Sequence, residues 1–499
     1  MLPVLTAQLV RTAEAYTLQR QGITSSQLME RAAVRCVHWL TSNEDSWGLG
    51  ERIEYLVLCG PGNNGGDGLA IARLLAGCGR TVSVVQPEAA NCTGDNEVNA
   101  RRLPASVPRV PVDAVNEVLR KGEILVVDAL FGAGLVRPLD GHWVALVEEV
   151  NSANCPVVSI DAPSGINVDG LIWPGSSAVE ADVTIGLGCF KPAYLFREFE
   201  PFVGRLEMLP IGLDFDSHFN VNDALYICEE QDVVEIIPAY RQYAHKGDHG
   251  HAAIVAGGPG MLGAAVLATR AALRSGTGLV TAVVPEDGLR VLHVAAPEAV
   301  VQVQGDGMHV AFSAMGIGPG LGTDRGGYLR SLLSGHHGTL VLDADALNTM
   351  ATERGLLQLL RPGTILTPHP KEFDRLFGPH GSSMERVQRA AREAMERSLV
   401  IVLKGAHTAV CAPNGTVHFN PTGDPGMAKG GSGDVLTGLL TGLLARGMVP
   451  FEAARTGVWL HGLAGTLAAQ KIGRDGMTAT DIVECLPEAW RELREIPSE

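Results

Sequence analysis

No two of the nine cysteines stand at CxxC spacing, so the 499-residue chain offers neither a zinc-ribbon ligand set nor a thioredoxin-like centre, and a reducing compartment is expected. No apolar run reaches the ~18 residues of a membrane helix. The amino-terminal Met1-Leu-Pro-Val-Leu-Thr-Ala meets Arg11 and Glu14 without the apolar core of a secretory leader, and a cytoplasmic protein with no membrane partner is expected. Basic residues are also scarce. There are 39 Lys and Arg against 55 Asp and Glu, a net charge of -16, which disfavours a long phosphate-backbone footprint and any nucleic-acid partner. Anionic ligands would have to be held locally by backbone N–H groups and a few lysines. A Walker A loop is missing, since Gly257-Gly-Pro-Gly-Met-Leu-Gly263 lacks the final Gly-Lys-Ser/Thr, and so is the protein-kinase pattern.

What is present is apolar and rich in glycine: 46% hydrophobic residues, 19% charged, 60 glycines and 28 prolines. That mix excludes a disordered or coiled-coil chain. At ~150 residues per domain, the length suits two large domains or three small ones.

Tyr55–Gly60 reads as a strand, Pro61-Gly-Asn-Asn-Gly-Gly-Asp67-Gly as a turn, and the Ala/Leu-rich stretch to Leu75 as a helix. Further strands are expected at Thr81–Val85, Ile124–Asp128, Val157–Asp161 and Val183–Leu187, spaced for crossover helices on a mostly parallel sheet. Asn63, Asn64, Asp67, Asp128, Asp161 and Ser164 gather at the strand ends, the edge where open α/β sheets bind ligands. The pattern loosens over 212–245, and the boundary is placed between 218 and 219. A second start follows, with a strand at Ala252–Ala256, a turn at Gly257–Gly260 and a helix at Leu262–Leu273. Later strands are expected at Leu279–Val284, Ala314–Ile317, Leu340–Asp343, Thr364–Leu366 and Leu399–Leu403, with Thr416–Phe419 as a shorter edge piece. The fold class is therefore α/β, as two domains in tandem.

In the first half, Gly60-Pro-Gly62-Asn-Asn-Gly65 formally matches GxGxxG, but no acidic ribose contact is clear in Thr81–Glu88. A dinucleotide turn, a structural turn and a specialised small-ligand loop all remain open. Asp128-Ala-Leu-Phe-Gly132-Ala-Gly134-Leu and Asp161-Ala-Pro-Ser164-Gly165 each place a carboxylate at a strand end. Each aspartate alone would serve as a helix cap, whereas three polar loops together favour a pocket holding a cation or moving a proton. Lys191-Pro-Ala-Tyr would either carry positive charge to an anionic ligand or sit as a solvated loop lysine.

In the second half, Gly423-Asp-Pro-Gly426-Met-Ala-Lys-Gly430-Gly-Ser-Gly433-Asp434 opens a helix. Its unpaired N–H groups suit phosphate, and Asp434 suits removal of a hydroxyl proton facing a transferred phosphoryl group. Lys404-Gly-Ala-His407-Thr408 ends a strongly β-branched run and is expected to meet a nucleotide's phosphate or ribose. Asp343-Ala-Asp345-Ala-Leu-Asn348 supplies carboxylates, and in Thr367-Pro-His369-Pro-Lys-Glu372 the imidazole suits a phosphate or a ring carboxamide and Glu372 a magnesium-bound water.

In this order, Asn63–Gly68, Asp128 with Phe131–Leu135, Asp161–Gly165, Gly318-Pro-Gly-Leu-Gly322, Asp343–Asn348, His369–Glu372, Lys404-Gly405 and Gly430–Asp434 resemble the bifunctional NAD(P)H-hydrate repair enzymes over nearly the whole chain. The resemblance implies two tandem three-layer domains: a Rossmann-like epimerase domain at 1–218 and a ribokinase-like, ADP-dependent dehydratase domain at 219–499. The first would interconvert the R and S hydrates at C6 of the nicotinamide ring, NADHX and NADPHX being the substrates. The second would return the S form to NAD(P)H with ADP as phosphoryl donor, giving AMP and phosphate.

By the same resemblance, Asn63, Asn64, Gly65, Gly66, Asp67, Gly132, Ala133, Gly134, Leu135, Val136, Arg137 and Pro138 would line the hydrate, with Asp161 catalytic against its ring. Asn64, Asp128 and Ser164 would bind K+. In the second domain Gly320, His369 and Asp434 would take the S hydrate, Asp434 being catalytic. Lys404, Gly405, Ala406, His407, Thr408 and Gly433 would take ADP, with Mg2+. A homo-oligomer is expected. Ala133 and Lys429 stand where threonine is usual, Asp424 where asparagine is, and Lys371 where glycine is. Lys429 would keep a charge that suits phosphate, and Asp424 would place a negative one near the nucleotide. The rival readings are a ribokinase-like kinase of a small hydroxylated vitamin precursor, which would release a phosphorylated product, and a non-catalytic nucleotide-binding scaffold.

Overall fold

A computed structural model describes residues 1–49, 53–89, 91–215, 225–305 and 311–495. It separates into two compact units, one of residues 3–220 with 382–384 and the other of 1–2, 221–381 and 385–499. The expected boundary at 218/219 lies outside the described residues. The chain opens on a short strand, β1 (Leu2–Val4).

The first unit is built on β2 (Glu54–Cys59), β3 (Thr81–Val85), β4 (Ile124–Ala129), β5 (Val157–Ile160), β6 (Val183–Leu187) and β7 (Arg205–Leu209). All neighbours are parallel, in the order β3-β2-β4-β5-β6-β7. Parallel strands covered on both faces need apolar side chains at every position, and the alternation along β2 shows it. Tyr55, Val57 and Cys59 pack with the helices Ser25–Ser42 and Asn63–Gly77, while Leu56 and Leu58 pack with Val115–Leu119 and His142–Ser152. Three layers result. The chain order reverses between β2 and β4, which opens a crevice at their carboxyl ends.

The second unit carries β8 (Leu225–Ile227), β9 (His251–Val255), β10 (Leu279–Val284), β11 (Val300–Val303), β12 (Ala314–Ile317), β13 (Thr339–Leu342), β14 (Ile365–Leu366), β15 (Val400–Leu403), β16 (Ala409–Cys411) and β17 (Val417–Phe419). The eleven-stranded sheet runs β1-β8-β17-β16-β15-β14-β13-β12-β9-β10-β11. Val341 of β13 faces the helices Ser432–Ala445, Pro450–Ile472 and Ala479–Glu495, and Leu340 and Leu342, on the opposite face, are buried as well. Among the described residues no helix is long and apolar enough to cross a membrane.

Three expectations need correction. Val417–Phe419 is an interior strand, hydrogen-bonded to β16 and β8, and not an edge piece. β5 stops at Ile160, leaving Asp161, whose N–H still donates to Ile185 O at 2.8 Å, just past the strand at φ +67°. The glycine-rich turn is shorter than expected because the helix already begins at Asn63. Close packing overrides low helix propensity there: a Cβ at Gly65 would lie 1.8 Å from the Gly60 carbonyl oxygen, so only glycine lets this helix end close on the turn after β2.

A second close approach sets the position of the helix Ser432–Ala445. A Cβ at Gly438 would lie 1.9 Å from the Ala268 carbonyl oxygen of the helix Leu262–Arg274. Gly438→Ala is expected to destabilise this unit by ~1–3 kcal/mol through overpacking, read as a lower thermal midpoint. Gly263→Ala, at an exposed helical position with nothing within 4 Å of the new Cβ, is expected to be neutral or to stabilise by ~0.5–1 kcal/mol.

Candidate active sites at two sheet edges

In the first unit, the carboxylate at the end of β4 organises the edge. Asp128 is fully buried; its Oδ1 accepts from Leu130 N at 3.2 Å and from Ser164 Oγ, and its Oδ2 accepts from Ser159 Oγ at 2.8 Å and Ser164 N at 2.9 Å. Burial pushes the Asp128 carboxyl up, and these hydrogen bonds oppose the push. Ser164 Oγ in turn accepts from Phe131 N at 2.8 Å, which ties the loop after β4 to the loop after β5.

On that frame sits Asp161. Its Oδ1 accepts from Lys191 Nζ at 2.8 Å, its Oδ2 accepts from Ala133 N at 3.0 Å, and its backbone carbonyl accepts from the Tyr194 hydroxyl. A non-glycine residue in the left-handed region stores strain that the surroundings must hold, a recurrent mark of functional sites. Lys191 is completely buried, so it is neither a free anion ligand nor a solvated loop lysine. Burial would pull its ammonium down, but Asp161 leads the groups that hold it well above the ordinary range.

Gly132 and Asn64 close on the same carboxylate: a Cβ on Gly132 would lie 2.7 Å from Asp161 Oδ2 and 3.2 Å from Asn64 Cγ. Both polar atoms of the Asn64 amide are buried without a hydrogen-bond partner. Asp67 and Glu14 add charge nearby. Burial, then Asp161, pushes Asp67 well above the carboxylate range and Glu14 up to about 6.

The other expected lining residues divide. Asn63 begins the helix and is exposed, while Gly65 and Gly66 are buried in packing. Ala133 binds Asp161 through its N–H, and Leu135 is half-buried. Gly134, Val136, Arg137 and Pro138 are exposed on the loop, with Arg137 Nη1 bonded to Asp140 at 3.1 Å. Sequence reasoning missed Asn96, whose Nδ2 donates to the carbonyls of Gly60 at 2.8 Å and Gly62 at 3.0 Å and fixes the turn. It missed Glu14 and Tyr194 too. The only signal for Tyr194 was its place three residues after Lys191.

In the second unit, Asp343 follows β13 and is 1% exposed. Its Oδ1 accepts from Lys404 Nζ at 2.8 Å, beyond the end of β15, and its Oδ2 accepts from Thr437 Oγ1 at 2.8 Å, on the helix Ser432–Ala445. The helix's first turn rests on this pair, since a Cβ at Gly433 would lie 3.4 Å from Lys404 Nζ and 3.6 Å from Asp343 Oδ2. Asp434 is the third residue of that turn. Burial, with Asp343 adding to it and Lys404 opposing, raises its carboxyl to about 6.

Gly320 lies on the loop after β12, which is held where Gly322 N donates to Asp345 Oδ2 at 2.9 Å. His369 caps the helix Pro370–Phe377: its Nδ1 accepts from Lys371 N at 3.1 Å and Glu372 N at 3.2 Å. Burial lowers its pKa. With Nδ1 accepting, Nε2 is the ring's donor nitrogen; it lies 3.5 Å from Glu372 Oε1. Gly405, Ala406, His407 and Thr408 form a tight turn between β15 and β16, closed by Thr408 Oγ1 donating to Gly405 O at 3.1 Å.

Two further expectations are corrected. Lys429 Nζ is bonded to three backbone carbonyls and is not a phosphate ligand in this structure. The charge of Asp424 is met by Arg474 Nε, 3.1 Å from both its oxygens, and its Oδ1 also accepts from Gly426 N at 2.8 Å.

These features define a class: a parallel α/β unit with a Lys191–Asp161 pair at the carboxyl ends of β5 and β6, joined to a ribokinase-like unit whose glycine-rich helix amino end carries an aspartate. Residues 252–488 match the family described as NAD(P)H-hydrate dehydratase, and residues 25–193 the family described as YjeF-related protein N-terminus. The bifunctional NAD(P)H-hydrate repair enzyme of Moorella thermoacetica is 35% identical over 98% of this chain and 97% of its own; that of Synechocystis sp. is 36% identical over 95% and 92%. A ribokinase-like superfamily protein of known structure from Enterococcus faecalis is 25% identical, with TM-score 0.50 over 57% of this chain and 100% of its own. The chain belongs to the family of bifunctional NAD(P)H-hydrate repair enzymes.

If Asp434 is the base, its ionised form is the active one. Turnover by the second unit should then fall tenfold per pH unit below about 6 and level off above it. A pH–rate profile whose acidic limb is unchanged in Asp434→Asn would exclude that role.

Proposed function

We propose that the chain repairs hydrated NADH and NADPH in two steps, epimerising the R and S hydrates at its first site and dehydrating the S form with ADP at its second. The observation that carries the reading is the carboxylate of Asp434, raised to about 6 by burial, in the first turn of a glycine-opened helix backed by the Lys404–Asp343 pair. Such a helix end offers N–H groups to phosphoryl oxygens, and a carboxylate with that pKa accepts a hydroxyl proton near neutral pH.

At the second site Asp434 takes the proton of the C6 hydroxyl as its oxygen attacks the β-phosphorus of ADP. The bond to the bridging oxygen breaks and AMP leaves. The phosphorylated oxygen then departs from C6 as phosphate while C5 loses a proton, which restores the C5–C6 double bond. The N–H groups of Gly433 and its neighbours hold the transferred phosphoryl charge. Lys404 and the turn Gly405–Thr408 receive ADP, and the Nε2–H of His369 and the loop at Gly320 hold the hydrate. Among the described residues no three metal-binding side chains converge. This fits Mg2+ held mainly by the nucleotide's phosphates and water, with Asp343 and Glu372 the carboxylates at hand. Bound there, the ion would neutralise phosphoryl charge.

At the first site Asp161, hydrogen-bonded to Lys191 Nζ, moves the proton during exchange at C6, and Asn63–Asp67 and Gly132–Pro138 line the hydrate. The unpartnered Asn64 amide beside Gly132 fits K+, with Asp128 and Ser164 completing the set; the ion would fix the two loops. The domains are assigned as 1–218 for epimerisation and 219–499 for dehydration, in a cytoplasmic homo-oligomer with no nucleic-acid or membrane partner.

NADH formation from separated R and S hydrates tests the division. Asp161→Asn should slow R-to-S exchange by ~10²–10⁴-fold and spare dehydration of the S hydrate, and Asp434→Asn should do the reverse. Loss of both activities in each single variant would overturn independent sites. Exchanging K+ for choline should slow R-to-S exchange in the wild type and have no effect in Asn64→Ala.

A further inference from the structure

Lys429 lies one residue before the glycines that open the Asp434 helix, yet its ammonium faces away from them. Nζ donates to the carbonyl oxygens of Arg474 at 2.8 Å, Asp475 at 2.8 Å and Met477 at 2.6 Å. An ammonium has three hydrogens, and all three are taken by backbone. The three carbonyls belong to one short segment beyond the helix Pro450–Ile472. Carbonyl oxygens converging on one point repel one another unless a cation sits between them, and rings of backbone carbonyls are how proteins coordinate monovalent cations.

The segment is joined to the glycine loop a second time, by Asp424 and Arg474. Within the loop, Asp424 Oδ1 accepts from Gly426 N at 2.8 Å and Ser432 Oγ donates to Met427 O at 2.8 Å. The stretch 424–432 is therefore anchored near each end to 474–477 and runs directly into the first turn of the Asp434 helix.

We infer that the Lys429 ammonium is a built-in monovalent cation: it fills a carbonyl cradle and, through residues 430–433, sets the position of the helix amino end. Lys429 is thus a positioning residue for phosphoryl transfer, an inference that rests on the proposed role of that helix end. Removing the ammonium while keeping an apolar stem leaves the cradle open to K+ or NH4+.

The test is Lys429→Met, assayed for ADP-dependent dehydration of the S hydrate in choline chloride titrated with K+ or NH4+ at constant ionic strength. Without either cation, turnover of the variant should fall ~10-fold or more, because a small displacement of an anion hole is costly. It should recover saturably as either cation is added, while the wild type stays flat. In parallel, the variant's thermal midpoint should rise with K+ more than the wild type's, as binding to the folded state requires. Turnover that stays low at saturating K+ and NH4+, or that never falls in choline, would overturn the inference. If the wild type itself does not dehydrate the hydrate, the functional reading fails, and the midpoint comparison alone then decides whether the cradle takes a cation.

Discussion

Both candidate sites depend on a lysine–aspartate pair at the carboxyl edge of a parallel sheet. Asp161 and Asp343 each accept a lysine Nζ at 2.8 Å, from Lys191 and Lys404. A carboxylate out of water reverts to the acid unless it is paired and hydrogen-bonded. The two lysines meet that need, and the residual oxygens bond to Ala133 N and Thr437 Oγ1. Burial drives Asp67, Glu14 and Asp434 upward, and Asp128 as well despite its four hydrogen bonds. Each edge thus sets a lysine-paired aspartate beside carboxylates that burial raises, a difference that environment alone imposes on similar side chains.

Much of this was readable from sequence. The central strands are unbroken aliphatic runs, such as Ile124–Val127 and Val400–Leu403, and their ends carry the polar residues that the fold brings to one edge. The short strands β8, β11 and β16 have no such run; pairing with neighbours makes them strands, and pairing is not a local property. The same limit hid the partner of Lys191. Thirty residues separate it from Asp161, and its total burial follows from tertiary packing. Asn96, which secures the turn after β2, sits in a polar stretch with no signal marking it out.

Reading a charge without its partner also misjudged the glycine loop of the second unit. Asp424 and Lys429 looked like opposite perturbations of a nucleotide site. In the fold they are two cross-links from one loop to the same segment, and neither charge is free to act on a ligand. A departure from a family pattern changes the site only to the extent that its new group remains unsatisfied.

The glycine contacts carry a genetic consequence. Any missense change in a glycine codon introduces a Cβ, and at Gly65 or Gly438 the first atom of the new side chain would stand 1.8 or 1.9 Å from a carbonyl oxygen. These positions have no functional group to lose, yet they accept no other residue without displacement of the backbone beside them. Selection against replacement should therefore fall as heavily on these chemically silent positions as on the ionisable residues that do the work.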